Sequence, residues 1–148
     1  PLLVYILSVL VLFQALSGLF GGVMLVLRPS GSLLQMPASE MLANTPFCSF
    51  LIPGLILLVL LGLFPLVVFT ALLLKPSSEI AETLNIYKNR HWAWTYSLYT
   101  AVMLILWIDF EIMFLGGGHM LQTIYGLVGV AILVATLLPP VQRYYEKS

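Results

Sequence analysis

Apolar residues in this chain fall into four long blocks separated by short polar links. The blocks cover residues 2–27, 47–74, 91–115 and 119–138. A helix rises 1.5 Å per residue, so about 20 residues cross a hydrocarbon core about 30 Å thick. Each block reaches that length. The pattern predicts an all-α fold, an integral-membrane four-helix bundle with short loops, forming a single transmembrane domain over residues 1–148.

The boundaries of the blocks carry their own chemistry. The first is longer than the apolar core of a signal peptide, about 7–15 residues, and ends in Leu27-Arg28-Pro29 rather than at a small-residue cleavage site. It predicts a true span. Pro1 is an unusual start, and a residue upstream of it is expected. Within this block Gly18 and Gly22 form a GxxxG pair, and Ser17 and Gly21 repeat the spacing. Small residues at i and i+4 let another helix backbone approach closely, here within the bundle in preference to a dimer. In the following link Pro29, Gly31 and Pro37 are turn residues, and Ser39 can cap a short helical turn. Thr45-Pro46 is a helix start.

The second block contains Pro53-Gly54 and Gly62-x-x-Pro65. Each interior proline removes a helical hydrogen bond, so a tilted, bent helix is predicted. In the link 75–90, Ser78 can cap a helix whose first turn carries Glu79 and Glu82. Ile80, Leu84 and Tyr87 at i, i+4 and i+7 predict a short amphipathic helix on the membrane surface. Trp92, Trp94 and Tyr96 open the third span as interfacial aromatics, and Gly116, Gly117 and Gly118 close it. Gly126 and Gly129, with Ala131 and Ala135, give the fourth span a small-residue surface. Pro139-Pro140 stops that span, and Arg143, Tyr144, Tyr145 and Lys147 anchor it. A partial echo of the segment at Gln14–Gly21 in Gln122–Gly129 has the spacing of an inverted repeat, but coincidence in glycine-rich apolar sequence accounts for it.

Composition sharpens the membrane assignment. The 148 residues are 61% hydrophobic and 8% charged, against about 25% charged in a soluble domain. Net charge is zero, and no basic run points to nucleic acid or to an anionic-lipid address. The single cysteine, Cys48, excludes an intrachain disulfide and a CxxC pair, and fits a small packing residue. Lys75, Lys88, Arg90, Arg143 and Lys147 fall on one side of the predicted topology and Arg28 alone on the other. Cationic residues stay inside, so a multi-pass protein with both termini cytoplasmic is predicted.

Two acids lie inside an apolar block, Asp109 and Glu111. They are two residues apart, roughly 200° around a helix, and so cannot act as a carboxylate pair on one face. Arg28 and His119 are the basic candidates on their side, and Gln14, Gln35, Gln122, Thr123 and Tyr125 the hydrogen-bonding ones. One expectation is a Glu111–Arg28 ion pair locking the helices, with Asp109 hydrogen-bonded or protonated. The other is an outward-facing polar pocket around Asp109, Glu111, Arg28, His119 and Gln122 that takes a cation, a proton or a polar headgroup. A single His119 without a spaced second ligand does not make a metal site, and His91 sits among basic neighbours at the inner interface. The chain has no HExxH, Walker A, GxGxxG or GxSxG motif, so no catalytic residue and no cofactor is assigned.

The segments RPSGSLLQMP and TPFCSFLIPGLILLVLLG resemble small four-helix bacterial membrane proteins of the DoxX-like kind. The resemblance covers the first half of the chain and implies a compact bundle in a bacterial inner membrane. It brings no residue role with it. Function classes then rank as follows. A structural or accessory subunit acting through helix–helix contacts comes first. Binding or translocation of a lipid, quinone, ion or small molecule at the acidic pocket comes second. A membrane enzyme comes last. The partners expected are membrane lipids and a second copy or a larger membrane complex, with no nucleic acid.

Overall fold

The computed structural model describes residues 2–28, 51–115 and 120–146. The link with its caps at Ser39 and Thr45, Gln35, Cys48, the glycine exit at 116–118, His119 and Lys147 lie outside the described residues. The elements are α1 (Leu2–Leu27), α2 (Leu51–Leu74), α3 (Glu79–Thr83), α4 (Trp92–Leu115), α5 (Met120–Leu137) and α6 (Pro139–Tyr144). Helices α1, α2, α4 and α5 are each long and apolar enough to cross a membrane. Among the described residues the only extended pairing is an isolated bridge between Arg90 and Glu146.

The long helices stand in the ring order α1, α2, α4, α5, so α1 and α4 face each other across the diagonal. One core layer is built from residues such as Leu7, Val11, Val68, Leu72, Ala101 and Ile132, all buried. A second layer, nearer the opposite end, is built on Leu61, Leu104 and Ile108. The first section of α2, Leu51–Leu58, packs on α1 and not appreciably on α4. The C-terminal turns of α4 are therefore left without α2 as a neighbour.

Helix α2 responds to Pro65 by a change of winding. Its middle, Val59–Leu63, is a π turn, in which the Phe64 N–H donates to the Val59 carbonyl. Pro65 brings no N–H, so the Leu61 carbonyl four residues back has no helical donor. Gln14 of α1 takes that role, donating from Nε2 to Leu61 O at 3.1 Å. The approach is possible because Gly18 has no side chain. A Cβ there would lie 1.9 Å from Leu61 O. One turn on, a Cβ at Gly22 would lie 2.6 Å from the Leu58 Cα. From the α2 side, Cβ atoms at Gly54 and Gly62 would meet Leu25 Cβ at 2.7 Å and Leu19 N at 2.8 Å. The GxxxG face of α1 is thus spent on a backbone-to-backbone crossing inside the bundle.

The end of the bundle carrying Lys75, Lys88, Arg90 and Arg143 is closed by a polar cap. Helix α2 stops on Lys75, which is left-handed (φ 50°), a conformation that costs a non-glycine residue about 1–2 kcal/mol. Its Nζ lies 3.7 Å over the Tyr144 ring and donates to the Tyr144 carbonyl at 3.1 Å. Ser78 caps α3, its side chain accepting from the Ala81 N–H at 3.2 Å. The helix then ends at Thr83, so the predicted stripe through Leu84 and Tyr87 is not helical. The cause is Asn85, only 1% exposed. Its Oδ1 accepts from the Tyr87 N–H at 3.1 Å and from the Thr95 hydroxyl, and its Nδ2 donates to Arg90 O at 3.0 Å. A side chain that serves the backbone this way competes with continuing the helix.

Candidate functional site

The acidic end of α4 is assembled by helix phase. Taking 100° per residue, Ile108 and Glu111 lie on the side facing the bundle, and Asp109, Phe110, Ile112 and Met113 fan over the rest. Burial follows that phase: Ile108 is 8% exposed, Glu111 is half-buried, and Asp109, Phe110, Ile112 and Met113 are exposed. Asp109 sits near the middle of the open arc. The sequence expected Asp109 to be the deeper acid without a basic partner; within the bundle Glu111 is the more buried of the two.

The Glu111–Arg28 lock is not formed. Arg28 is exposed at the end of α1, and no charged group neighbours Glu111 among the described residues. The reason lies in the ring order: α1 and α4 are diagonal, and an ion pair between their ends would have to cross the bundle. Gln122, in the first turn of α5, is buried. Thr123 is exposed, and Tyr125 stacks on Phe13 of α1 at 5.8 Å between ring centroids. Gln14 is not part of the acidic end. It lies at mid-bundle on the Leu61 carbonyl, with its Oε1 buried and without a partner among the described residues. Of the expected pocket, Asp109 and Glu111 share one helix end with Gln122 on the adjacent helix, Arg28 is held apart, and His119 lies outside the described residues.

Polar chemistry is denser at the opposite end, where the sequence indicated interfacial aromatics, a Ser78-capped helix and a cationic anchor but not the buried polar network. Trp94 Nε1 donates to Thr136 O at 2.7 Å, and the hydroxyls of Ser97 and Thr136 meet at 2.9 Å. Arg90 donates from Nη2 to Gln142 Oε1 at 2.8 Å, and its guanidinium lies 4.6 Å from the Trp94 ring. His91 acts as a cap for α4: its Nδ1 accepts from the Ala93 N–H at 3.1 Å and its Nε2 lies 2.9 Å from Pro76 O. Those partners fix a tautomer with the proton on Nε2. Tyr145, 1% exposed, donates to Leu72 O at 2.6 Å. Burial, and then the neighbouring Tyr144, push its phenol above the ordinary value. The signal for this cap was present as Thr95, Ser97 and Thr100 inside an aromatic run, polar residues with a reason to be buried only if partners meet them.

Two further features bound what the arrangement can do. Among the described residues, no group of His, Cys, Asp and Glu side chains converges as a metal site. A shallow apolar groove of about 280 Å³ lies between the start of α1 and α6, lined by Leu2, Leu3, Val4, Pro140 and Tyr144. Among the described residues of its lining, Tyr144 is the one with a polar side chain. The chain matches no family model, no curated protein and no solved structure.

Proposed function

We propose that the chain is a polytopic protein of a bacterial inner membrane, both termini cytoplasmic, that serves as an accessory subunit through helix–helix contacts centred on the open face of α4. The observation that carries this is Asp109. It is exposed near the middle of an apolar arc, about 9 Å from the end of its helix at 1.5 Å per residue. A carboxylate at mid-membrane costs about 2.5–3.5 kcal/mol by insertion scales, and less toward an end. A neighbouring transmembrane helix that presents a hydrogen-bond donor or a cation to Asp109 removes that cost. The apolar residues around it, Ile112 at 45% and Met113 at 62% exposure, supply the packing surface. The bundle's own GxxxG face cannot serve, because Gly18 and Gly22 are already covered by α2.

The test is a photoreactive side chain at Met113 in the membrane-embedded protein, with Val130 on α5 as the control face. Protein adducts at Met113, lost in Asp109→Leu and absent from Val130, are expected. A second copy or another subunit would each appear as a defined mass. Lipid adducts alone at Met113, unchanged by Asp109→Leu, would refute the subunit role. They would favour the alternative, capture of a cation or polar headgroup by Asp109 and Glu111. Orientation is read separately, in a Cys48→Ser background: Ser77→Cys should label from the cytoplasmic side and Ser32→Cys from outside.

A further inference from the structure

We infer that the link between α2 and α4 is a lipid-embedded anchor, with Ile80, Leu84 and Ile86 seated in the inner leaflet of the bilayer. The inference rests on the membrane-spanning reading of α4. Three aromatic residues on one face of α4 hold the link by its backbone. Trp92 Nε1 donates to Pro76 O at 2.9 Å, Tyr96 Oη to Ala81 O at 2.8 Å and Tyr99 Oη to Leu84 O at 2.6 Å. Positions 92, 96 and 99 follow the i, i+4, i+7 spacing, so the donors form a row along the helix axis. The acceptors follow in the same order along the link. The chain therefore runs beside the first two turns of α4, in the direction of the membrane interior, before Asn85 turns it back. A link meant for water has no need to lie along a membrane helix.

The side chains agree with that course. Ala81 of α3 is buried toward α4, while Ile80 is 84% exposed on one flank and Glu82 lies on the opposite flank. Leu84 and Ile86 continue the apolar side at 66% and 71% exposure. Three large aliphatic side chains exposed within seven positions concentrate apolar surface on this link. Lys75, Lys88 and Arg143 are exposed around the same end together with Glu79 and Glu146, a mixed charge suited to the headgroup layer. The apolar surface thus matches phospholipid, with charged side chains at headgroup level and aliphatic side chains below it.

The test uses the full chain with Cys48→Ser, reconstituted into vesicles of phosphatidylcholine and phosphatidylglycerol. A nitroxide is placed in turn at Ile80→Cys, Leu84→Cys, Ser77→Cys and, on the exposed middle of α4, Val102→Cys. Relaxation by oxygen and by a water-soluble nickel complex gives depth. Oxygen should dominate at 80 and 84, at about 5–10 Å below the phosphates, and nickel at 77. In the double variant Tyr96→Phe, Tyr99→Phe the label at 80 should move toward water. Nickel dominance at 80 and 84 with oxygen dominance at 102 overturns the anchor and leaves the span standing. Nickel dominance at all four overturns both. An unchanged depth at 80 in the double variant overturns the role given to the aromatic row.

Discussion

Gly18→Ala should be the most damaging single methyl group that can be added to this bundle. The new Cβ would lie 1.9 Å from Leu61 O, 2.4 Å from Leu61 C and 2.8 Å from Gly62 N, all backbone atoms. No rotamer change relieves such a contact. Restoring a C···O separation of about 3.3 Å requires α1 and α2 to part by about 1.4 Å. Overpacking of this kind costs about 1–3 kcal/mol. Parting the helices also stretches the Gln14–Leu61 bond, and interhelical hydrogen bonds in membrane proteins are worth about 0.6 kcal/mol on average and up to about 1.7. The sum is about 2–4 kcal/mol. At about 2–4 °C per kcal/mol for a chain of this size, the midpoint in detergent should fall by roughly 10 °C. The controls are built into the same sequence. A Cβ at Gly21 meets only Leu57 Cδ2, the end of a side chain, at 3.2 Å, and one at Gly126 meets Ile108 Cγ2 at an ordinary 3.9 Å. Gly21→Ala and Gly126→Ala should melt close to the parent. If Gly18→Ala melts with Gly126→Ala, the close crossing of α1 and α2 is wrong.

Gln14→Leu should cost about 1–2 kcal/mol in thermal unfolding, and less in a Pro65→Ala background, where an N–H is again present to serve Leu61 O; equal cost in both backgrounds would disprove the link between Gln14 and Pro65. Arg28→Ala should be silent, within about 0.5 kcal/mol, because the side chain is exposed and has no partner at Glu111; a large loss would reinstate an ion pair. Tyr145→Phe should cost about 0.5–1.5 kcal/mol at neutral pH by removing the bond to Leu72 O. Because the Tyr145 phenol is held above its unfolded value, its contribution is whole below about pH 10 and fades as pH rises toward the raised value. Stability curves of parent and Tyr145→Phe should therefore converge in strong alkali, and parallel curves would show that Tyr145 does not titrate with folding.

The number and order of the long apolar helices were legible because the block length a bilayer would require is read directly from the sequence, while the expected starts at 47 and 119 lie outside the described residues. The glycine spacing was legible as a promise of close approach. What it approached was not, since a pattern within one helix says nothing about which neighbour it meets. The same gap explains the acids. Helix phase separated Asp109 from Glu111, but assigning Arg28 to Glu111 required α1 and α4 to be neighbours, and ring order is a property of the assembled bundle. The link helix shows a third kind of limit. Ile80, Leu84 and Tyr87 have helical spacing, yet Asn85 between them finds Thr95 and the Arg90 carbonyl, partners contributed by chain that follows it. Propensity yields there to a tertiary hydrogen bond.

The two ends of the bundle solve opposite problems. At the basic end the aromatic donors are satisfied: Trp92, Trp94, Tyr96, Tyr99 and Tyr145 each donate to a backbone carbonyl, while the buried Arg90 Nε has no partner among the described residues. At the acidic end α2 turns away with α1, leaving the last turns of α4 without it as a neighbour, and the one exposed acid of a long apolar helix sits there. A fold that invests this many bonds in closing one end and leaves a carboxylate on the surface of the other is asymmetric in what it needs from its surroundings. On the proposed reading, the open end takes a partner that brings a polar hydrogen to Asp109, the exposed carboxylate of the α4 arc.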